Sequence, residues 1–235
     1  MNVVDFVIIG IVGVSLLFGI YRGFITSLLG LISVFLAMFA AYAIGPTIAN
    51  AIYQNQTVVE TLTHYTDAAS RLGDLNLSMQ SVSGLDATTI SQIVERVNLP
   101  APLDAVLSSN LTSQFFASIG SVSVSDYINQ SIVMAIVSIL SYIIVFIVAY
   151  FALTLLTGVI GYVFRFPALK HLDAILGGVF GIVRGVFIVY ILFALVPILM
   201  TVLPFDDFGT LITSSQLGSA LYQSNIVTTI LQGHL

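Results

Sequence analysis

Four apolar stretches of this chain pass without a single charged side chain: sixteen residues between Asp5 and Arg22, thirty-seven between Arg22 and Glu60, thirty-eight between Asp126 and Arg165, and twenty-one between Arg184 and Asp206. A helix needs roughly 17–25 apolar residues to cross a bilayer, so each stretch holds one span and the first only just does. The composition agrees, with 58% of residues hydrophobic and 7% charged, where a soluble domain carries about 25% charged. The expected fold is all-α: a polytopic helical membrane protein with spans near 4–21, 24–45, 130–161 and 174–203. The first stretch reads as a retained helix rather than a signal peptide, because its leading charge is Asp5 and a second apolar stretch follows after "YRG".

Charge placement divides the chain into a first hairpin (1–45), an acidic segment (46–128), a second hairpin (129–203) and a tail (204–235). The acidic segment holds Glu60, Asp67, Asp74, Asp86, Glu95, Asp104 and Asp126 against Arg71 and Arg96, a net of −5 that equals the whole chain's. The other basic residues are Arg22, between spans one and two, Arg165 and Lys170, between three and four, and Arg184, at or within span four. Positive residues favour the cytoplasmic side, which places the two short connections inside and the acidic segment and both termini outside. Within the acidic segment Ile90, Ile93, Val94 and Val97 share one helical face. Leu103, Val106, Leu107 and Leu111 share another, and Val58, Leu62, Tyr65, Ala69 and Leu72 continue a third. With "NLPAP" at 98–102 as a breaker, three short amphipathic helices are expected, forming a small extracytoplasmic cap. In the tail, Leu217, Leu221 and Ile230 offer a loosely amphipathic face that could dock on this cap.

Several classes of chemistry lack their residues. Cysteine is absent, so no disulfide, thiolate metal site or cysteine nucleophile is available. His64, His171 and His234 fall in three separate regions, and no zinc-protease, nucleophile-elbow or P-loop pattern occurs. The expectation is a protein that is not an enzyme, with no cofactor and no metal. Its formal charge of −5 gives no basic surface for nucleic acid.

One phrase occurs twice, "FGIYRG" at 18–23 and "FGIVRG" at 180–185. Either it is shared membrane grammar, or each arginine marks a boundary or a buried polar partner in two related helices. Around the second copy, Asp173, Gly177, Gly181, Arg184 and Gly185 fall within about 120° of one helical face at 100° per residue. A bare glycine groove with a charge at each end lets another helix approach closely. Arg22 and Gly23 close the first span, and the small residues Ala37, Ala41 and Gly45 line the second. These are the residues expected to pack and anchor the helices, with self-association or another membrane or envelope protein as partner. A helix from Asp173 to Leu203 would run about 46 Å, beyond a ~30 Å hydrocarbon core. An ionisable group inside that core costs at least ~2.5–3.5 kcal/mol. Either that helix is steeply tilted with Arg184 buried, or residues 173–184 lie at the interface or re-enter and 186–203 is the true span with Pro197 as its kink; the second is favoured, because 186–203 is eighteen uncharged residues, enough to cross alone. Asp5 is expected to cap the first helix.

The stretch "NVVDFVIIGIVGVSLLFGIYRGFITSLLGLIS", with Asp5 ahead of the span and Arg22-Gly23 closing it, resembles the N-terminus of the colicin V production protein family. "LDAILGGVFGIVRGVFIVYILFALVPIL" resembles its last helical segment, with Asp173, Gly177, Gly181 and Arg184-Gly185 at matching places. Together the two blocks cover a little over a quarter of the chain, and the long 46–128 segment departs from compact members. The resemblance implies a small bacterial inner-membrane protein of about four helices, without enzymatic activity, tied to toxin (bacteriocin) production or export or to envelope physiology. The reading it favours is a membrane scaffold or accessory factor. The alternative is a small transporter or channel with a pathway along the Asp173–Arg184 face, and a third reading makes the helices a plain anchor for the cap.

Overall fold

The structure is a computed structural model that describes residues 1–66, 68–83, 85–101, 103–113, 122–163, 170–202 and 206–232. Arg165 and His234 lie outside these residues, as do the side chains of Lys170 and His171. Among the described residues the regular structure is helical: α1 (Val3–Arg22), α2 (Phe24–Tyr53), α3 (Gln56–Thr66), α4 (Ala68–Leu72), α5 (Leu75–Met79), α6 (Ala87–Val97), α7 (Leu103–Ser113), α8 (Val124–Val163), α9 (Lys170–Phe193), α10 (Val196–Val202), α11 (Asp206–Thr213), α12 (Gln216–Gln223) and α13 (Ile226–Gln232). A single antiparallel bridge joins Ser81 to Ser123. Four helical stretches, Val3–Arg22, Phe24–Tyr53, Val124–Gly158 and Leu172–Thr201, are long and apolar enough to cross a membrane.

Two compact units share the chain: Met1–Pro46 with Ser141–Ala194 and Asp206–Val227, and Thr47–Leu140 with Leu195–Phe205 and Thr228–Leu235. The first unit presents its large apolar side chains outward, among them Phe6, Leu17, Phe39, Val148, Phe151 and Leu156. In water such an exposed surface would be unstable, and in lipid it is the solvated face. Its interior is small and polar-dotted, with Ala37 and Ala41 fully buried and Ser15, Ser27 and Ser33 nearly so.

The second unit has an ordinary hydrophobic core, whose axis is the first half of α8. Tyr127, Ile128, Ile132, Val133 and Ile136 are fully buried there, and Ile93, Leu103, Leu107 and Leu111 from α6 and α7 are also among its buried side chains. Ala49, Val133 and Val137 form a cluster against which Ile52, Tyr53, Val59 and Leu62 pack. Helix ends are tied by side chains. The Asn129 amide oxygen accepts from the Thr66 hydroxyl at the end of α3 and the Ala68 N–H at the start of α4, each at 3.0 Å. Arg71 donates to the Thr66 and Thr201 carbonyls at 3.0 and 2.7 Å. Among the described residues the 46–128 segment carries α3, α4, α5, α6 and α7, where the sequence led to an expectation of three short helices. α2 continues past the expected end at residue 45 to Tyr53, and α8 starts at Val124 rather than 130.

Beyond α9 the chain turns at Ala194 and Leu195 before α10 begins. Pro197, in the first turn of α10, has no N–H to give the Phe193 carbonyl, so a helix arriving from α9 must break there.

Candidate functional site: the seam between the first and last spans

The local reason for the seam begins at the α1–α2 reversal. α1 ends at Arg22 and α2 starts at Phe24, which leaves Gly23 alone to turn the chain, at φ +81°, where a side chain is strained. The Gly23 N–H still bonds the Gly19 carbonyl at 3.0 Å. The Asp173 carboxylate occupies the space where a Gly23 methyl would stand, and it accepts the Phe24 N–H at 2.8 Å. A carboxylate supplied by α9 therefore caps the positive N-terminal end of α2.

From that point α1 and α9 run together backbone to backbone. A methyl group on Gly177 would collide with the Gly19 carbonyl and lie 2.8 Å from the Gly23 carbonyl carbon. One on Gly181 would sit 2.5 Å from the Ser15 carbonyl oxygen, and one on Gly185 3.0 Å from the Val12 Cα. Gly19 is closed by Gly177 and Gly181 in the same way. Close approach lets a hydroxyl reach across: Ser15 Oγ donates to the Gly181 carbonyl at 2.7 Å. On the α2 side, Ser27 Oγ donates to the Gly19 carbonyl at 3.3 Å. Contacts this tight substitute dispersion and hydrogen bonds for the hydrophobic driving force that lipid withholds.

The repeated phrase thus lies on the two helices that pair. Gly19 and Gly181, at the same place in each copy, meet in the seam, while the arginines diverge. Arg22 is exposed at the end of α1, its guanidinium 5.8 Å from the centre of the Phe18 ring. Arg184 turns inward: Nε donates to Ser15 Oγ at 3.2 Å, and Nη1 would be 3.1 Å from a methyl group on Gly30 of α2. Phe24–Phe180 and Phe35–Phe187 ring pairs, at 5.4 and 4.8 Å, fasten α9 to α2 on either side of that guanidinium.

Two expectations change here. The interfacial or re-entrant piece expected at 173–184 is instead part of one continuous helix, α9, which carries Arg184 alongside Ser15 rather than at a helix end. The pathway imagined along the Asp173–Arg184 face has no room, because α1 fills it to backbone contact.

The opposite end of α1 also differs from expectation. The N-cap is Asn2, whose side chain accepts from the Val4 and Asp5 N–H groups. Asp5, expected as the cap, is the reciprocal member of a capping box and accepts the Asn2 N–H at 2.7 Å. Its other oxygen reaches the tail. Asp5 is fully buried and accepts from Ser215 Oγ at 2.7 Å and the Leu217 N–H at 2.9 Å. Asn2 adds bonds to the Leu211 carbonyl and the Ser214 hydroxyl, and Asn225 bonds the Tyr190 carbonyl of α9 at 2.8 Å. Among the tail's described residues Ile212, Ser215, Gly218, Asn225 and Val227 are buried, whereas of the expected docking face Leu217 is 40% exposed, Leu221 is half-buried and the side chain of Ile230 lies outside the described residues. Sequence reading missed Ser15, Gly30, Asn2 and Ser215. Of these Ser15, a hydroxyl four residues before Gly19 in an apolar run, and Asn2, three residues before Asp5 in the spacing of a capping box, left a signal.

Four lipid-compatible helices, the first and last locked through bare backbone, define a polytopic helical membrane protein. The chain belongs to the colicin V production protein family, whose sequence model matches residues 4–78 and 105–224. Neither a curated protein nor a solved structure matches it. The family match takes in much of the 46–128 segment, so the departure from the family narrows to 79–104, the stretch that carries α6.

Proposed function

We propose that this protein is a non-enzymatic scaffold or accessory factor of the bacterial cytoplasmic membrane, serving toxin production or export or envelope maintenance. In this reading the α1–α9 seam holds a rigid bundle, and the second unit and the tail contact other envelope components from outside. The observation that carries it is the seam itself: the face richest in the family's residues is spent on helix contact and not on a cavity. The acidic second unit and the placement of Arg22 and Lys170 at the other helix ends support an orientation with both termini outside.

The test has two parts. In a host whose only family member is this chain, deletion should lower secreted colicin V or raise detergent sensitivity, and variants in the second unit should reproduce that loss while the bundle remains inserted. Unchanged secretion and an unchanged envelope after deletion would sink the reading. Impermeant maleimide labelling of single cysteines decides between scaffold and pathway. Leu75→Cys should react from outside and Tyr21→Cys from inside, with Gly177→Cys and Gly181→Cys silent or unfolded. Labelling of position 177 or 181 in a folded, inserted variant would replace the scaffold with a water-filled route.

A further inference from the structure

The tail is held at one level of the membrane. Asp5 of α1 accepts from Ser215 and the Leu217 N–H, and the Tyr190 carbonyl of α9 accepts from Asn225. One turn further along α9, the Phe193 ring meets Tyr222 at 6.2 Å. Arg22 and Asp173 put charge at the α1–α2 turn, which fixes that turn at one membrane surface. Asp5 is seventeen residues from Arg22 along α1, and Tyr190 is seventeen from Asp173 along α9. Each separation comes to about 26 Å. A hydrocarbon core is ~30 Å thick, so α11 and α12 rest where acyl chains give way to headgroups, on the side opposite the turn. Val3 and Phe6, in the same turn of α1 as Asp5, are 69 and 65% exposed, which marks this level as still bathed by lipid.

At that level the tail divides its side chains three ways. α12 meets the bundle through Gly218, where an added methyl group would lie 2.9 Å from a methyl carbon of Val4. At about 100° per residue, Leu217 and Leu221 stand to one side of that contact, and Ser219 and Gln223 to the other. Leu217 is 40% exposed and Leu221 half-buried. On α11, Ile212 is buried while Leu211 beside it is 40% exposed, and Thr210 and Thr213 take the remaining side. A short helix lying beside the bundle at the interface has protein on one flank, lipid below and water above. The buried, apolar and polar faces of α12 match those three media in turn.

The composition narrows what attracts the tail to lipid. Residues 206–227 contain no lysine or arginine, and their charges are Asp206 and Asp207. Interfacial helices usually add the pull of basic residues on anionic lipid to the burial of an apolar face. Only the apolar part is present here, and its strength follows how readily acyl chains part to admit a leucine.

We infer that α11 and α12 form an interfacial lipid-binding element, which inserts Leu211, Leu217 and Leu221 into the leaflet opposite the α1–α2 turn and responds to lipid packing rather than lipid charge. In the scaffold reading the tail contacts envelope components. Lipid is the component its exposed flank fits, and this assignment requires only that α1 and α9 cross the membrane.

The chain contains no tryptophan, so Leu217→Trp in the full protein is a unique reporter. In phosphatidylcholine vesicles, lipid brominated near the headgroup end of its chains should quench that emission at least about twofold more than iodide present on both sides, and Gln223→Trp should show the reverse order. Leu211→Trp repeats the measurement on α11, and thermal melting of each variant separates misfolding from a change of surroundings. Exchanging saturated for unsaturated phosphatidylcholine should strengthen lipid quenching at position 217, while added phosphatidylglycerol should leave it unchanged. Iodide quenching of both leucine-site reporters in folded protein overturns the inference, as does equal lipid quenching at positions 217 and 223. Shielding of position 217 from iodide and from brominated lipid alike would put protein over this flank and overturn it too. A larger response to phosphatidylglycerol than to unsaturation would make the attraction one of charge, again against it. Secretion and detergent sensitivity are read separately, so the scaffold reading can fail while lipid insertion holds, and the reverse.

Discussion

At positions 19, 177 and 181 the space for a side chain is already occupied by a neighbouring backbone, whereas at Gly10 and Gly13 on the same α1 nothing lies within 4 Å. The two sets should therefore respond to alanine with opposite signs. Gly177→Ala and Gly181→Ala must push α1 and α9 apart or strain both, a cost of about 1–3 kcal/mol from overpacking. Gly10→Ala should be neutral or stabilise by up to about 1 kcal/mol, through helix propensity. Melting in detergent, followed by size-exclusion chromatography, reads both. In the second unit, Asp86 caps α6, accepting the Thr89 N–H at 3.0 Å and the Thr88 hydroxyl. Those bonds, led by the Thr88 hydroxyl, lower its pKa to about 2. A depressed carboxylate stabilises the fold above its unfolded pKa of about 3.9 and loses that contribution as pH falls toward 2. Melts across that window should show the decline, and Asp86→Asn should flatten it.

Among the elements, the tail depends on one carboxylate at the start of α1. Ser215→Ala removes both the hydroxyl that Asp5 accepts and the N-cap that receives the Gly218 N–H at 2.8 Å. The expected cost is about 1–3 kcal/mol for a buried acceptor left short, seen as faster hydrogen exchange across 206–227 with α9 unchanged. The glycine face of α9 was legible because a spacing of four survives any helix geometry, but its partner was not, since pairing between distant segments leaves no local trace. Arg184 was misplaced for a definite reason. The length estimate ran one helix through Pro197, while the chain turns at Ala194 and α9 alone measures about 36 Å, which a tilted span accommodates. Asp5 was read by its position near a helix start, where Asn2 lies as well. The cap itself is local, an Asn2-x-x-Asp5 capping box, whereas the bonds of Asp5 to Ser215 and Leu217 come from a tail more than 200 residues away.

At the scale of the molecule, the second unit is not the 46–128 segment by itself. Its core is completed by Ile132, Val133 and Ile136, on the part of α8 that reads in sequence as membrane span. A soluble 46–128 fragment should therefore melt without cooperativity, and a 47–140 fragment should melt cooperatively. If the shorter piece folds equally well by circular dichroism, α8 is not its axis. The seam raises a different issue, one of time. It joins the first span to the last, so α1 leaves the ribosome 148 residues before Lys170 does, roughly 7–30 s at ordinary synthesis rates. Throughout that interval the glycine face of α1 and the Ser15 hydroxyl are in the membrane without α9. Arg184 then arrives with the fourth described span, onto an acceptor already waiting for it. The order of synthesis thus gives α1 the part of a template, and whatever shields its bare face during the wait acts on this protein before it is complete.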